Sequence, residues 1–315
     1  MDVVVLGNAT LDVICSPVGE VPRYTSVRFE EVQVSPGGCG SNAAIGLSAL
    51  GVSTGLVASI GDDDTSFLLR RYWERVGLDY ARVRTHRDRS TGVSIGLVDS
   101  QGERRFIHTS GANALLTVDS LDVAKLAQTG ARALHVAGFF VLPGLLDGRM
   151  PQPLKKAQQL GLITSLDVVE NPAMHEPQVL WPCLPYLDVL LCNLQEATLM
   201  TGEVEPVAAA QALRDRGANV VVIKLGAQGC WVEGNSPAIQ VEGAQAVSIR
   251  VPAQAVQVVD STGAGDAFAA GLVAALLRGE RLLAACEFAN RTGARIVSTL
   301  GAITAWFNDS NSEER

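Results

Sequence analysis

Between residues 121 and 224 the chain repeats one pattern: a segment of helical spacing, then a short apolar run. Residues 121–127 precede 133–136, residues 153–160 precede 163–167, and residues 208–216 precede 220–224. A further apolar run at 187–192 reads as another central strand. Strands that are apolar throughout need cover on both faces, and parallel neighbours need a crossover long enough to hold a helix. The pattern therefore predicts an α/β fold, with a mainly parallel central sheet and helices on both faces.

The flanking segments add detail. Residues 3–7 read as a fully buried strand, 41–50 as a helix ending at Gly51, 57–60 as a strand, and 65–76 as a helix closing at Gly77. Residues 11–33, with Pro17 and Pro22, suit an irregular pair of exposed strands. Residues 92–98 and 104–109 read as a hairpin around 100–102, and the two β-rich stretches could meet as one small sheet over an edge. Two late helices are expected at 264–277 and 282–297, then a polar tail at 308–315, so that residues 1–307 form one domain.

Composition narrows the function classes. A chain of 315 residues can bury roughly three quarters of its unfolded surface. With 47% hydrophobic and 18% charged residues it is a compact protein. Its net charge of −8, without a basic stripe, argues against a nucleic-acid partner. No apolar run reaches the roughly 18 residues of a membrane span, and no signal peptide opens the chain. Six scattered cysteines form no metal-spaced pair, which suits reduced thiols in the cytoplasm.

The most specific stretch is Asp260-Ser261-Thr262-Gly263-Ala264-Gly265-Asp266, which runs straight into an apolar helix. Gly263 and Gly265 let backbone approach a ligand, and the free amides of a first helical turn, Ala264 among them, suit an anion. Asp266 on that turn would crowd a bound phosphate unless an acceptor hydroxyl lay between them. The acid could then take the hydroxyl's proton as it attacks. The plainer alternative is an N-cap with glycines serving a tight turn. A second glycine-rich stretch, Pro36-Gly37-Gly38-Cys39-Gly40-Ser41-Asn42-Ala43-Ala44, lies far upstream.

Together these stretches closely resemble the two signatures of the ribokinase (PfkB) family of carbohydrate kinases, in the family's order. The likeness runs from Val3 to about Trp306. It implies a ribokinase-like Rossmann-type sandwich with a small β-sheet lid over the sugar. It also implies ATP and Mg²⁺ as cofactors.

No Walker motif is present, so the ATP cradle falls to the helix start at Gly263–Gly265. Asn193-Leu194-Gln195-Glu196 follows a strand and matches the family's Asn-x-x-Glu, linked there to magnesium and phosphate, with Glu196 reaching the metal through water. Alternatively it caps the next helix. Lys224 ends a strand before a turn with Gly226 and Gly229, and could meet an ATP phosphate as a point charge, although the family often has Thr there. By the same resemblance Asn290 aligns with a nucleotide-edge position, and Asp260 and Thr262 with a monovalent-cation (K⁺) site.

For the acceptor, Asp12 and Asn42 supply oriented polar groups, and Gly37 and Gly38 let hydroxyls reach the backbone. Cys39 stands where ribokinases commonly carry Lys, which puts ribose in doubt. Arg104 falls on the expected lid hairpin, where it would suit an acidic acceptor or be an ordinary exposed arginine. His135, inside an apolar strand, reads as a satisfied core residue.

The resulting expectation is an ATP-dependent kinase acting on a primary hydroxyl of a sugar or sugar acid, with sugar and ATP as partners and a homodimer through exposed lid edges. Nucleoside and sugar-phosphate kinases are the near alternatives. A dinucleotide-dependent oxidoreductase is disfavoured, because the glycine turn lies late in the chain without a following ribose-binding acid. A non-catalytic sugar-binding regulator is disfavoured by the presence of Asp266.

Overall fold

A computed structural model describes residues 1–100, 104–241 and 246–308, with residues 104 and 308 described by their backbone alone. The chain opens with β1 (Val3–Gly7), β2 (Thr10–Ser16) and β3 (Glu31–Gly37). α1 (Cys39–Ala49), β4 (Thr54–Val57), β5 (Ser59–Gly61) and α2 (Asp64–Arg75) follow. β6 (Arg84–His86) precedes the hairpin of β7 (Gly92–Val98) and β8 (Arg104–Thr109). Next come α3 (Val123–Gln128), β9 (Ala133–Ala137), α4 (Pro151–Gln159), β10 (Ile163–Asp167) and β11 (Val189–Asn193). α5 (Leu194–Thr201), α6 (Pro206–Asp215) and β12 (Val220–Lys224) complete the alternating stretch. β13 (Cys230–Gly234), β14 (Val247–Val251), α7 (Ala264–Leu277), α8 (Leu282–Val297) and α9 (Thr304–Asn308) end the chain.

The expected α/β architecture is present. The large sheet has the order β14-β13-β12-β11-β10-β9-β1-β4, parallel from β4 to β12 and antiparallel at β13 and β14. Alternation along the buried strands divides the core. Leu134, Val136, Leu166, Leu190, Val221 and Ile223 pack under α3 to α6, whereas Val3, Val5, Val189, Val220 and Val222 pack under α1, α7 and α8. Both faces are covered, which is why the central strands carry so little charge.

Two details differ from the sequence expectation. Residues 57–60 are not one strand: β4 ends at Val57 and joins the large sheet, while β5 starts at Ser59 and pairs with β6 in a separate ribbon. No glycine or proline marks the change of sheet within Val57-Ala58-Ser59-Ile60. The edge strand β14 was not foreseen either, although Val247, Ile249 and Val251 alternate with Ser248 and Arg250 as a half-buried strand should.

The two β-rich stretches do meet. β3, β2, β7 and β8 form a four-stranded sheet in that order, with β2 and β7 parallel and the flanking pairs antiparallel. Registers Asp12↔Ser35, Asp12↔Ser94 and Ser94↔His108 put these residues on one face, and the Gln33, Ile14, Gly96 and Phe106 row shares it. Among the described residues no helix is long and apolar enough to cross a membrane.

Candidate active site

Parallel strands end on one edge of the sheet, and three of them deliver polar side chains there. Asp167 closes β10, Asn193 closes β11 and Lys224 closes β12, with Asn193 opposite Lys224 in register. Lys224 Nζ donates to both carboxylate oxygens of Asp167, at 2.7 and 3.0 Å. Burial raises the Asp167 pKa, and the Lys224 ammonium pulls it back. Burial works against the charge on Lys224 too, but Asp167 and Glu196 outweigh it and raise its pKa. The bidentate contact marks an ionised pair. Sequence reasoning missed Asp167; the available signal was a lone acid ending an apolar run at the carboxyl end of a strand.

Two helices start over this edge. α7 begins at Gly263, whose φ of 75° is left-handed and whose Cα faces Ala302 with no room for a side chain. α1 begins after Gly38, and a Cβ on Gly40 would stand 2.6 Å from Gly7 Cα, so the helix start lies directly on the end of β1. These close approaches bring the first turns together: Asn42 Nδ2 donates to Asp266 Oδ2 at 2.8 Å. Asn42 Oδ1 is buried without a partner among the described residues. Burial pushes the Asp266 carboxyl up to about 6, with Asp167 adding to the rise, while Asn42, Lys224 and Cys39 pull it down.

Asp12 lies nearby on β2, its carboxylate against the Cα of Gly37 so that any side chain there would collide with it. Burial raises its pKa to about 6 against the pull of the Thr10 hydroxyl bond. Asn113, which no local pattern singles out, holds Ala9 through its main-chain N–H (2.9 Å) and carbonyl (2.8 Å), fixing the entry to β2.

Asn193 and Glu196 do form a capping box: Asn193 Oδ1 accepts from Glu196 N–H and Glu196 Oε2 from Asn193 N–H. Capping leaves Glu196 lining the same cavity as Asp266, and burial lifts its carboxyl to about 7, with Lys224 opposing and Asp167 reinforcing. Lys224 is also tied to Asp167. Asn290 lies at a cavity wall, its amide bonded to Val251 O (3.1 Å) and Pro252 O (3.4 Å). Asp260 accepts from Thr262 N–H and Gly301 N–H, each at 2.8 Å, bracing the turn before α7. The Arg104 side chain lies outside the described residues; its backbone opens β8 opposite Val98. His135 is only half satisfied: Nδ1 meets Ser165 Oγ at 2.9 Å, while Nε2 has no partner. Burial, with Lys224 adding to it, lowers its pKa to about 3, so it is neutral.

Two cavities of about 350 Å³ flank this centre. One is mainly apolar, with Ala253, Ala255, Val256, Phe268 and Val297 in its wall. The other is polar, with Asp167, Glu196, Asp266 and Cys39. They share Lys224, Gly226 and Gly265 as a border. Gly229, at φ 92°, packs its Cα on the Val251 carbonyl and closes the turn from β12.

The description "pfkB family carbohydrate kinase" matches residues 1–308. The chain belongs to the pfkB family. This makes it a phosphotransferase with an alcohol acceptor, of the carbohydrate kinase class. The Haemophilus influenzae ribokinase is 28% identical over 310 residues, 95% of this chain and 92% of that protein. An ATP-dependent ribose-1-phosphate kinase of Halopiger xanaduensis is 30% identical over 299 residues, 92% of each chain. The solved Thermotoga maritima ribokinase superposes with a TM-score of 0.78 at 25% identity, over 96% of this pfkB chain and 95% of that one.

Proposed function

We propose that this pfkB kinase transfers the γ-phosphoryl group of ATP to a primary hydroxyl of a sugar or sugar acid, with Asp266 as the general base. The observation carrying this reading is the place of Asp266, in the polar cavity and one residue beyond Gly265 on the border with the apolar one. The apolar cavity suits a nucleobase, and Asn290 holds its wall. Amides of the Gly263–Gly265 turn and the Lys224 ammonium receive the phosphates. Asp12, Asn42 and the backbone at Gly37 and Gly38 hold the acceptor, and the four-stranded sheet is its lid.

In the reaction the acceptor oxygen forms a bond to the γ-phosphorus as the bond from phosphorus to the ADP oxygen breaks. The hydroxyl proton passes to Asp266, and ADP leaves. Three carboxylates, Asp167, Glu196 and Asp266, face one cavity against a single ammonium, an all-oxygen donor set suited to Mg²⁺. Among the described residues no three His, Cys, Asp or Glu are grouped to hold a metal by themselves. That fits an ion that keeps its waters and is held largely by phosphate, with Glu196 reaching it through water. When bound, the ion offsets phosphate charge. A monovalent cation at the Asp260–Thr262 turn is part of the same reading.

Release of ADP against a panel of sugars, sugar acids, sugar phosphates and nucleosides tests the proposal; release with none of them would sink it. Nucleosides belong in the panel because Phe106, 47% exposed, shares the Asp12 face and packs beside Ile14 over Gly96. The opposite face exposes Val32, Val34 and Ile107, which supports a homodimer through the lid. The free cysteines support a cytoplasmic location.

Two further results are expected. The Glu196→Gln variant needs about tenfold more Mg²⁺ for half-maximal rate, the scale of a lost outer-shell partner; an unchanged titration would leave Glu196 a helix cap only. The pH profile of kcat/KM falls away below about 6 instead of below 4, because raised carboxyls at Asp266 and Asp12 are protonated, and useless as base or acceptor, on the acid side. A profile flat down to pH 5 would show that neither carboxyl is raised in the free enzyme.

A further inference from the structure

The small sheet is tied to the carboxy-terminal segment by one side chain of β3. Gln33 Nε2 donates to Leu300 O and to Thr304 Oγ1, both at 3.3 Å. The Leu300 carbonyl can only accept, which fixes the nitrogen on that side of the amide. Gln33 Oε1 is enclosed, with no donor among the described residues. Gly301, at φ 88°, lies so close under the amide that a Cβ would run into Gln33.

The same segment carries the turn that opens α7. Gly301 N–H donates to Asp260 Oδ2 at 2.8 Å, and Asp260 Oδ1 accepts from Thr262 N–H. Asp260 N–H in turn donates to Val297 O at 3.1 Å. The next residue, Ala302, fills the space beneath Gly263, where a Cβ would come within 2.5 Å of the Ala302 Cβ. A short run of contacts thus leads from β3 through residues 300–302 to the Gly263–Gly265 turn. On the sheet side, among the described residues, Gln33 supplies the hydrogen bonds of this run.

We propose that Gln33 is a positioning residue: it sets the small sheet in register with the 300–304 segment, so that occupation of the turn opening α7 is transmitted to β3. The proposal rests on the nucleotide reading of that turn. It requires no contact between Gln33 and either substrate. The coupling runs both ways, as linkage demands, so an ordered β3 also favours the loaded turn.

Hydrogen exchange with Mg²⁺ and the non-hydrolysable analogue AMP-PNP provides the test, on the full chain and without an acceptor. In the wild type the analogue slows exchange at residues 260–266 and, about tenfold, at residues 31–37. In Gln33→Met, which keeps length and removes hydrogen bonding, protection at 260–266 persists and protection at 31–37 is lost. Gln33→Asn, which keeps the amide but shortens its reach, does the same and stands in if the Met variant does not fold. Equal protection of 31–37 in wild type and variants would overturn the proposal. So would its absence in the wild type while 260–266 is protected. No protection at 260–266 in the wild type would instead sink the nucleotide reading, and this inference with it.

Discussion

Replacing Asp266 with asparagine lowers turnover about 10²–10⁴-fold while leaving ATP affinity within a few-fold, the usual contribution of a positioned base. Asparagine preserves the volume at the first turn of α7 and can still receive the Asn42 amide through its own carbonyl oxygen. What it loses is the ability to take a proton. The measurement is a pair of titrations, kcat with saturating acceptor and nucleotide binding by calorimetry. A variant turning over at close to the wild-type rate would return Asp266 to a helix-start acid stabilised by the dipole. A variant that neither turns over nor binds nucleotide would show a broken turn and say nothing for a base. The acid limb of the wild-type pH profile is the companion reading, since it should lose the Asp266 component in the variant.

Replacing Lys224 with methionine has the largest expected effect on stability. The side chain reaches Asp167, whose own side chain is 3% exposed, and removal of the ammonium strands a buried carboxylate. Breaking such a pair from one side costs about 3–5 kcal/mol. The double variant Lys224→Met with Asp167→Leu removes both charges and recovers most of that loss, because the desolvation cost leaves with the pair. Activity does not return with it, since the ammonium at the border of the two cavities is gone. Denaturant midpoints and kcat measured on the single and double variants separate these terms. If the double variant were as unstable as the single, the pair would not be the source of the loss. If it were fully active, Lys224 would have no part in phosphate binding.

Periodicity carried the architecture because the central strands are buried on both faces and joined by helices of ordinary length. It failed at Val57–Ser59, where the chain leaves one sheet for another with no glycine or proline to mark the change. β14 was missed although its five residues alternate apolar and polar. Glycine positions carried much of the site. Gly38 and Gly263 are required by positive φ, and Gly37 and Gly40 by close approach, so each marked a place where backbone meets something. The sequence was silent on Asn113 and Gln33 for a common reason. Each acts on a partner far along the chain, at Ala9 and Leu300, and nothing local requires its side chain. It was equally silent on Lys224 being held by an acid, since the spacing of two strand ends depends on sheet order.

The shared border of the two cavities has a practical consequence for inhibition. On the proposed reading, nucleobase and acceptor bind on either side of the border formed by Lys224, Gly226 and Gly265. A single molecule that joins an adenosine to an acceptor mimic through a short phosphate chain could therefore lie across both. It would lose its rigid-body freedom once, where two separate ligands lose theirs twice. Its linker length then becomes a ruler. The tether that binds tightest measures the reach from base to acceptor oxygen, and a series differing by one phosphate would read that distance in solution.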